Sequence, residues 1–259
     1  GAGLDNQVCI VIPIYKRKLN KYERLSISLV REKFRCYDIY FIAHKRLDMK
    51  DYLKYDDIKT VYFPGRYFKN IISYSRLLIN ERFYRKFKDY EYMLIVQPDA
   101  LIFGDAVRLK WFMDQGYDYW GARWIQPVEI CSFEIEKNMK KKFTARIPPD
   151  FERYIFRNPR YCSVGNGGLS LRNIRKTIAL IKEKKRFAIV WWDNEDKFFA
   201  YHGMKNNVNY RIVSEKLADK FSLESNISLL NEIRPFGIHG WERLGKSTVL
   251  RYLREQKLL

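Results

Sequence analysis

The sequence predicts an α/β protein with a mainly parallel central sheet flanked by helices. Two features carry this. Short runs of β-branched and aromatic residues alternate with segments of helical periodicity, and the strand-like runs stay apolar at successive positions, as strands covered on both faces do. The alternation also places ligands at the carboxyl ends of the strands.

The elements follow in order. Val8 to Tyr15 is an apolar run with Pro13 near its end and a basic turn behind it, which suits a buried first strand. Asn20 caps a helix from Lys21 to Phe34, in which Tyr22, Leu25 and Leu29 recur on one face. Tyr37 to His44 and Ile58 to Phe63 read as strands, the second stopped by Pro64-Gly65. Ile71 to Phe87 reads as one amphipathic helix, and Tyr90 to Val96 as a buried fourth strand. Asp105 is placed to cap a helix from Ala106 to Gln115. The last segment, Ser247 to Leu259, sets Val249, Leu250 and Leu253 against Arg251, Arg254 and Lys257. Such a basic amphipathic helix either rests on anionic lipid or docks onto the domain itself.

Composition limits the function classes. With 259 residues and 47% hydrophobic content the chain can bury a sizeable core, which argues against disorder. The cysteines Cys9, Cys36, Cys131 and Cys162 lack the spacing of a zinc site, a pattern that fits a reducing cytosol, and no apolar run approaches membrane-spanning length. Forty-nine Lys and Arg against 30 Asp and Glu give a net charge of +19, a field that gathers anionic partners. The basic residues are spread over runs such as Lys16 to Lys18, Lys137 to Lys142 and Lys182 to Arg186, without a nucleic-acid motif, so nucleic acid is not the expected partner.

Four motifs carry chemistry. Gln97-Pro98-Asp99-Ala100-Leu101-Ile102 puts an acid just past the fourth strand, where it either holds a hard cation against a diphosphate or simply forms a turn. Tyr117 to Trp124 concentrates aromatics around Gly121, as a sugar-stacking platform or as core packing. Val164 to Arg172 holds Gly165, Gly167 and Gly168, which allow close backbone approach. Trp191 to Phe199 then presents Glu195 and Asp196 between aromatics, as catalytic carboxylates or as acids favoured by a helix N-terminus.

In this order QPDALI, YDYWGARW, VGNGGLSLR and NEDKFF resemble the QTDSLI, DYIGAPW, GNGGFSLR and EDVFF pattern of a bacterial family classed as glycosyltransferases. More remotely they are similar to the animal β-1,3-galactosyl- and N-acetylglucosaminyltransferases. The resemblance implies a GT-A-type nucleotide-diphospho-sugar transferase fold. It makes residues 1–259 a single glycosyltransferase domain, with about 1–105 as nucleotide-binding half and about 106–259 as acceptor-binding half ending in the basic helix.

The resemblance further implies roles. Asp99 matches the last acid of a DXD motif, which meets metal and diphosphate, while Gln97 stands where the first acid would be and leaves ribose to a neutral amide. Gly167 and Gly168 match glycines beside the donor sugar, Asp196 the catalytic base, and Glu195 a residue orienting the acceptor hydroxyl. His239, in Arg234 to Trp241, becomes a candidate further metal ligand on a glycine-flanked loop. The implied cofactor is Mn²⁺ or Mg²⁺, with strict metal dependence put in question by Gln97.

The function expected is inverting transfer of a hexose from UDP-galactose or UDP-glucose to a glycan, such as a lipid-linked oligosaccharide of bacterial capsule or O-antigen synthesis. It would act in the cytoplasm, at the inner face of the plasma membrane. A catalytically inactive sugar-binding domain and a basic nucleic-acid-binding module are the competing readings.

Overall fold

The computed structural model describes residues 7–130, 159–191 and 193–259. Cys131, the Lys137 to Lys142 run and Trp192 lie outside the described residues.

The central sheet has six strands in the order β3-β2-β1-β4-β9-β6, formed by Lys59–Tyr62, Asp38–Ala43, Val8–Pro13, Tyr92–Val96, Leu169–Asn173 and Tyr119–Trp120 respectively. The first four run parallel, and β9 and β6 join antiparallel. The expected parallel sheet is therefore present, completed at one side by strands from later in the chain. Every residue of β1 and of β4 is buried, which explains their unbroken apolar runs.

Helix α1 (Lys21–Lys33) starts at Asn20 with a full capping box: Asn20 Oδ1 accepts from the Glu23 amide, and Glu23 Oε2 accepts from the Asn20 amide. The single helix expected over Ile71 to Phe87 is instead two, α2 (Ile71–Leu78) and α3 (Glu81–Arg85). Asn80 explains the break, because its side chain accepts from the Arg82 amide and caps a new helix rather than continuing the old one. Asp105 caps α4 (Ala106–Asp114) by accepting from the Arg108 amide.

Further elements cover the sheet and build a second layer. Strand β5 (Ala100–Ile102) joins β11 (Gly237–His239) and β10 (Ser222–Leu223) in a small sheet, while β7 (Arg123–Ile130) pairs with β8 (Arg160–Val164). Around the small sheet Leu29, Leu101, Ile238 and Trp241 form a second core. The terminal helix, Lys246–Glu255, buries Val249, Tyr252 and Leu253 in that core and turns Arg251 and Arg254 outward. Its apolar face is thus used in docking onto the domain, and among the described residues no helix is long and apolar enough to cross a membrane.

Candidate active site

Strand pairing brings three distant segments to one edge. The β4 strand ends at Val96, opposite Leu169 of β9, so the glycine loop 165–168 meets the turn 97–99. The β11 strand sets His239 opposite Ala100, immediately beyond that turn. Asp99 does form a turn, closed by the Ala100 amide donating to the Gln97 carbonyl, and the same turn delivers its carboxylate to the sheet edge. The expected loop around His239 is a strand instead. Gly237 makes this possible, since a Cβ there would stand 2.7 Å from the Leu101 carbonyl oxygen and hold the strands apart.

The resulting open cleft is about 650 Å³ and is lined by Gln97, Asp99, Trp124, Asn166, Asp196 and His239 among others. His239 Nε2 lies 3.0 Å from Asp99 Oδ1 and 3.0 Å from Gln97 Oε1, and its Nδ1 lies 3.0 Å from Glu224 Oε1. Burial alone would lower the imidazole pKa, but the carboxylates of Asp99 and Glu224 raise it to about 10. The Asp99 carboxyl is pushed up by burial, yet the hydrogen bond and charge of His239 bring it below its ordinary value, and Arg243 adds to this.

This donor set allows one kind of metal site. Glu224 fixes Nδ1 and turns Nε2 toward Asp99 and Gln97, so an ion bound here would have to displace the Nε2 proton. Among the described residues no group of three or more His, Cys, Asp or Glu converges as an all-protein cage would require. Asp99 and His239 are too few for a closed protein site, so a divalent ion held here would have to draw most of its shell from oxygens of a bound ligand.

The acid pair opens the helix Glu195–Gly203, so both carboxylates do sit in a first helical turn. Their surroundings then separate them. Glu195 Oε1 accepts from Arg172 at 2.7 Å, and the Glu195 amide donates to Ser75 Oγ at 3.2 Å. Arg172 is wholly buried, donates also to Tyr84 Oη and Ser170 Oγ, and lies against the rings of Tyr119 and Phe199. Glu195 is thereby tied into a buried ion pair while its side chain also lines the cleft.

Asp196 is 8% exposed and accepts two backbone hydrogen bonds, from Asn166 at 2.9 Å and from Lys197 at 2.8 Å. Burial and then the charge of Glu195 push its pKa up to about 7, against the lowering effect of those two amides. Asn166 is held at a φ of 53°, which asparagine tolerates, and its side-chain amide donates to the Ala122 carbonyl at 3.1 Å. That left-handed turn aims the Asn166 N–H at Asp196.

The glycines admit the protein's own groups. A Cβ on Gly167 would stand 2.0 Å from Glu195 Oε1, and one on Gly168 would stand 2.2 Å from the His239 ring. A Cβ on Gly165 would meet Trp124 at 2.3 Å. Of the aromatic segment, Tyr119 and Trp120 are core residues packed on Phe199, Phe112 and Phe221, and Trp124 reaches the cleft. Sequence reasoning singled out neither Asn166, Glu224 nor the Arg172 pairing. An asparagine among glycines is a usable signal for a left-handed turn, whereas Arg172 and Glu224 acquire meaning only from partners distant in the chain.

Comparisons with known proteins agree with this architecture. Mouse xyloside xylosyltransferase 1, in its apo crystal structure, superimposes with a TM-score of 0.52 at 12% identity, over 91% of this chain and 97% of that one. The apo structure of the bifunctional enzyme WbbM gives 0.48 at 15% identity over 91% of this chain and 46% of its own length. A glycosyltransferase involved in glycosylating the major capsid of PBCV-1 gives 0.45 at 11% over 90% and 93%. At such identity the likeness to the xylosyltransferase shows the fold alone, a GT-A-type α/β fold. No curated protein matches in sequence. The family model described as a protein of unknown function (DUF5672) matches residues 57–239, most of the chain, and the protein belongs to that family.

Proposed function

We propose that this protein is a glycosyltransferase that moves a hexose from a nucleotide diphosphate sugar, UDP-galactose or UDP-glucose, to a glycan with inversion at the anomeric carbon. One observation carries the reading most: a buried Asp196 with its pKa raised to about 7 lines the same cleft as Asp99 and His239, at the ligand-binding edge of the sheet. Residues up to about 105 would hold the nucleotide, and the remainder the acceptor.

Asp196 is the base in this reading. The acceptor oxygen attacks the anomeric carbon, its proton passes to the Asp196 carboxylate, and the bond to the diphosphate breaks with its electron pair leaving on the diphosphate. The Asn166 and Lys197 amides keep the carboxylate pointed at the acceptor. Asp99 and His239 would hold Mn²⁺ or Mg²⁺, which when bound neutralises charge on the departing diphosphate. Gln97 lies beside them in the position of the missing first acid, and Trp124 offers a face for a sugar ring. Glu195, engaged by Arg172, is a positioning residue that holds its neighbour and the glycine loop in place. A lipid-linked acceptor of bacterial surface polysaccharide synthesis, at the inner membrane face, is the acceptor that a chain of +19 charge would attract most.

The experiment is transfer with a panel of nucleotide sugars, with and without Mn²⁺, followed by determination of anomeric configuration. Inverted product from a UDP-hexose is expected. UDP with Mn²⁺ should also stabilise the fold by about 2.7 kcal/mol at a hundredfold excess over its Kd. Product retaining its configuration excludes the single displacement with Asp196 as base. If UDP, GDP and dTDP all leave the melting temperature unchanged in the presence of metal, donor binding is excluded.

A further inference from the structure

A second cavity, of about 640 Å³, lies outside the cleft and is lined by Arg66, Lys69, Arg76, Arg82, Lys182 and Lys185, with Glu81 as the one lining acid among the described residues. Helix α2 separates the two. Ile71, Tyr74 and Ser75 face the cleft, whereas Ser73 and Arg76, on the opposite side of the same helix, face the groove. Glu81 pairs with Arg85 at 3.0 Å and with Lys182 at 3.9 Å, a single acid against the six basic residues of the groove.

We propose that this groove binds a phosphate-bearing group, at a site separate from the cleft. Its walls supply planar guanidinium groups from Arg66 and Arg82, which match phosphate oxygens, with lysine ammonium groups from Lys69, Lys182 and Lys185 spread around the same space. The Tyr67 hydroxyl accepts from Arg66 and Asn80, each at 3.3 Å, which anchors the Arg66 guanidinium at the groove. Burial would raise that phenol's pKa, yet these hydrogen bonds and the charges of Arg66 and Arg76 leave it lowered. Arg66 lies over the Tyr67 ring at 4.8 Å, so its guanidinium is held against the groove wall. Arg76 completes the wall and is held by the carbonyls of Ala188, Ile189 and Trp191.

Titration calorimetry with inorganic pyrophosphate in EDTA tests the site without metal and without donor. Two variants, R66Q/K69Q and R82Q/K182Q, alter separate halves of the groove at its surface. Each should weaken pyrophosphate by about tenfold or more, as loss of charge-assisted contacts does. Arg243→Gln, which removes a cation of the cleft, should leave the affinity unchanged. Added salt should weaken binding in parallel. Vesicles of phosphatidylglycerol in phosphatidylcholine, against phosphatidylcholine alone, then identify the source. Capture by the anionic vesicles that pyrophosphate reverses and both double variants lose assigns a lipid headgroup, and pyrophosphate binding without capture assigns a soluble phosphate compound. No pyrophosphate binding, or binding weakened only by Arg243→Gln, overturns the proposal. Because the donor plays no part in the assay, failure here leaves the glycosyltransferase reading standing.

Discussion

The parallel side of the sheet and the side that β9 completes bury different kinds of groups. Around β1, β2 and β4 the interior is almost wholly apolar, and of the buried polar side chains there, Glu23 and Ser26 of α1, Glu23 closes the capping box of the first helix. Around β9 and the segments facing it the interior holds Ser170, Arg172, Glu195, Asp196 and Glu224, with His239 close by. The first region is stabilised by apolar burial, which needs no particular partner. The second is stabilised only if each charge finds its counterpart, because a buried charge without one costs several kcal/mol. The candidate chemistry sits in the second region for the same reason: a raised carboxyl pKa requires burial, and burial requires a scaffold that tolerates it.

The largest effect should come from Asp196→Asn, which keeps the shape of the side chain and removes the base. Transfer should fall by roughly 10²–10⁴-fold while UDP affinity holds within a few-fold. In the parent protein kcat/KM should rise with pH along a limb near pH 7, where Asp196 ionises, and the variant should lose that limb. The stability sign is opposite. Because the folded pKa of about 7 exceeds the unfolded value near 3.8, protonated Asp196 favours the fold at low pH, and this contribution is lost as pH rises from about 4 through 7. The loss is on the order of 4 kcal/mol and should be absent from the variant's denaturation curves across that range. An unchanged pH slope would show that Asp196 is not the titrating group.

Breaking the buried ion pair comes next. Arg172→Ala leaves Glu195 charged and unpartnered, so urea denaturation should show a loss of about 3–5 kcal/mol. The double variant R172M/E195L, which removes both charges, should recover much of that stability but not transfer activity. Full recovery of both would show that Glu195 has no positioning role.

Gly168→Ala probes the contact between the glycine loop and His239. The added methyl meets the ring, and overpacking of this kind costs about 1–3 kcal/mol. Displacing the imidazole should also weaken Mn²⁺-dependent UDP stabilisation, and an intact metal response would separate His239 from the metal. The smallest effect should come from the parallel side. Asn20→Ala removes the cap of α1 and should cost about 1 kcal/mol in denaturation, with turnover per folded molecule unchanged. A loss of turnover there would blur the division between the two regions.

What could be read in advance follows the same division. The strands at Val8, Tyr37, Ile58 and Tyr90 and the caps Asn20 and Asp105 were legible because apolar runs and caps are local signals, satisfied within a few residues. The break at Asn80 was not, since apolar spacing continued across it and only its side-chain bond to Arg82 decided for a new helix. In the site, Asp99, Asp196, His239 and the glycine loop were legible as motifs, and the fold gathers them around one cleft. Their bonding was not legible: the GNGG segment gave no sign that Gly167 makes room for Glu195 and Gly168 for His239.

Sequence alone determined the fold class, the basic charge and the residue types at the candidate site. These depend on composition and on neighbours along the chain. Tertiary structure decided which acid is tied to Arg172 and which to the amides of Asn166 and Lys197, that His239 lies on a strand between Asp99 and Glu224, and that the terminal helix packs its apolar face on the domain. Burial, hydrogen bonding and pKa are properties of surroundings assembled from distant segments, and two adjacent acids with the same local sequence acquire different chemistry only when those surroundings form.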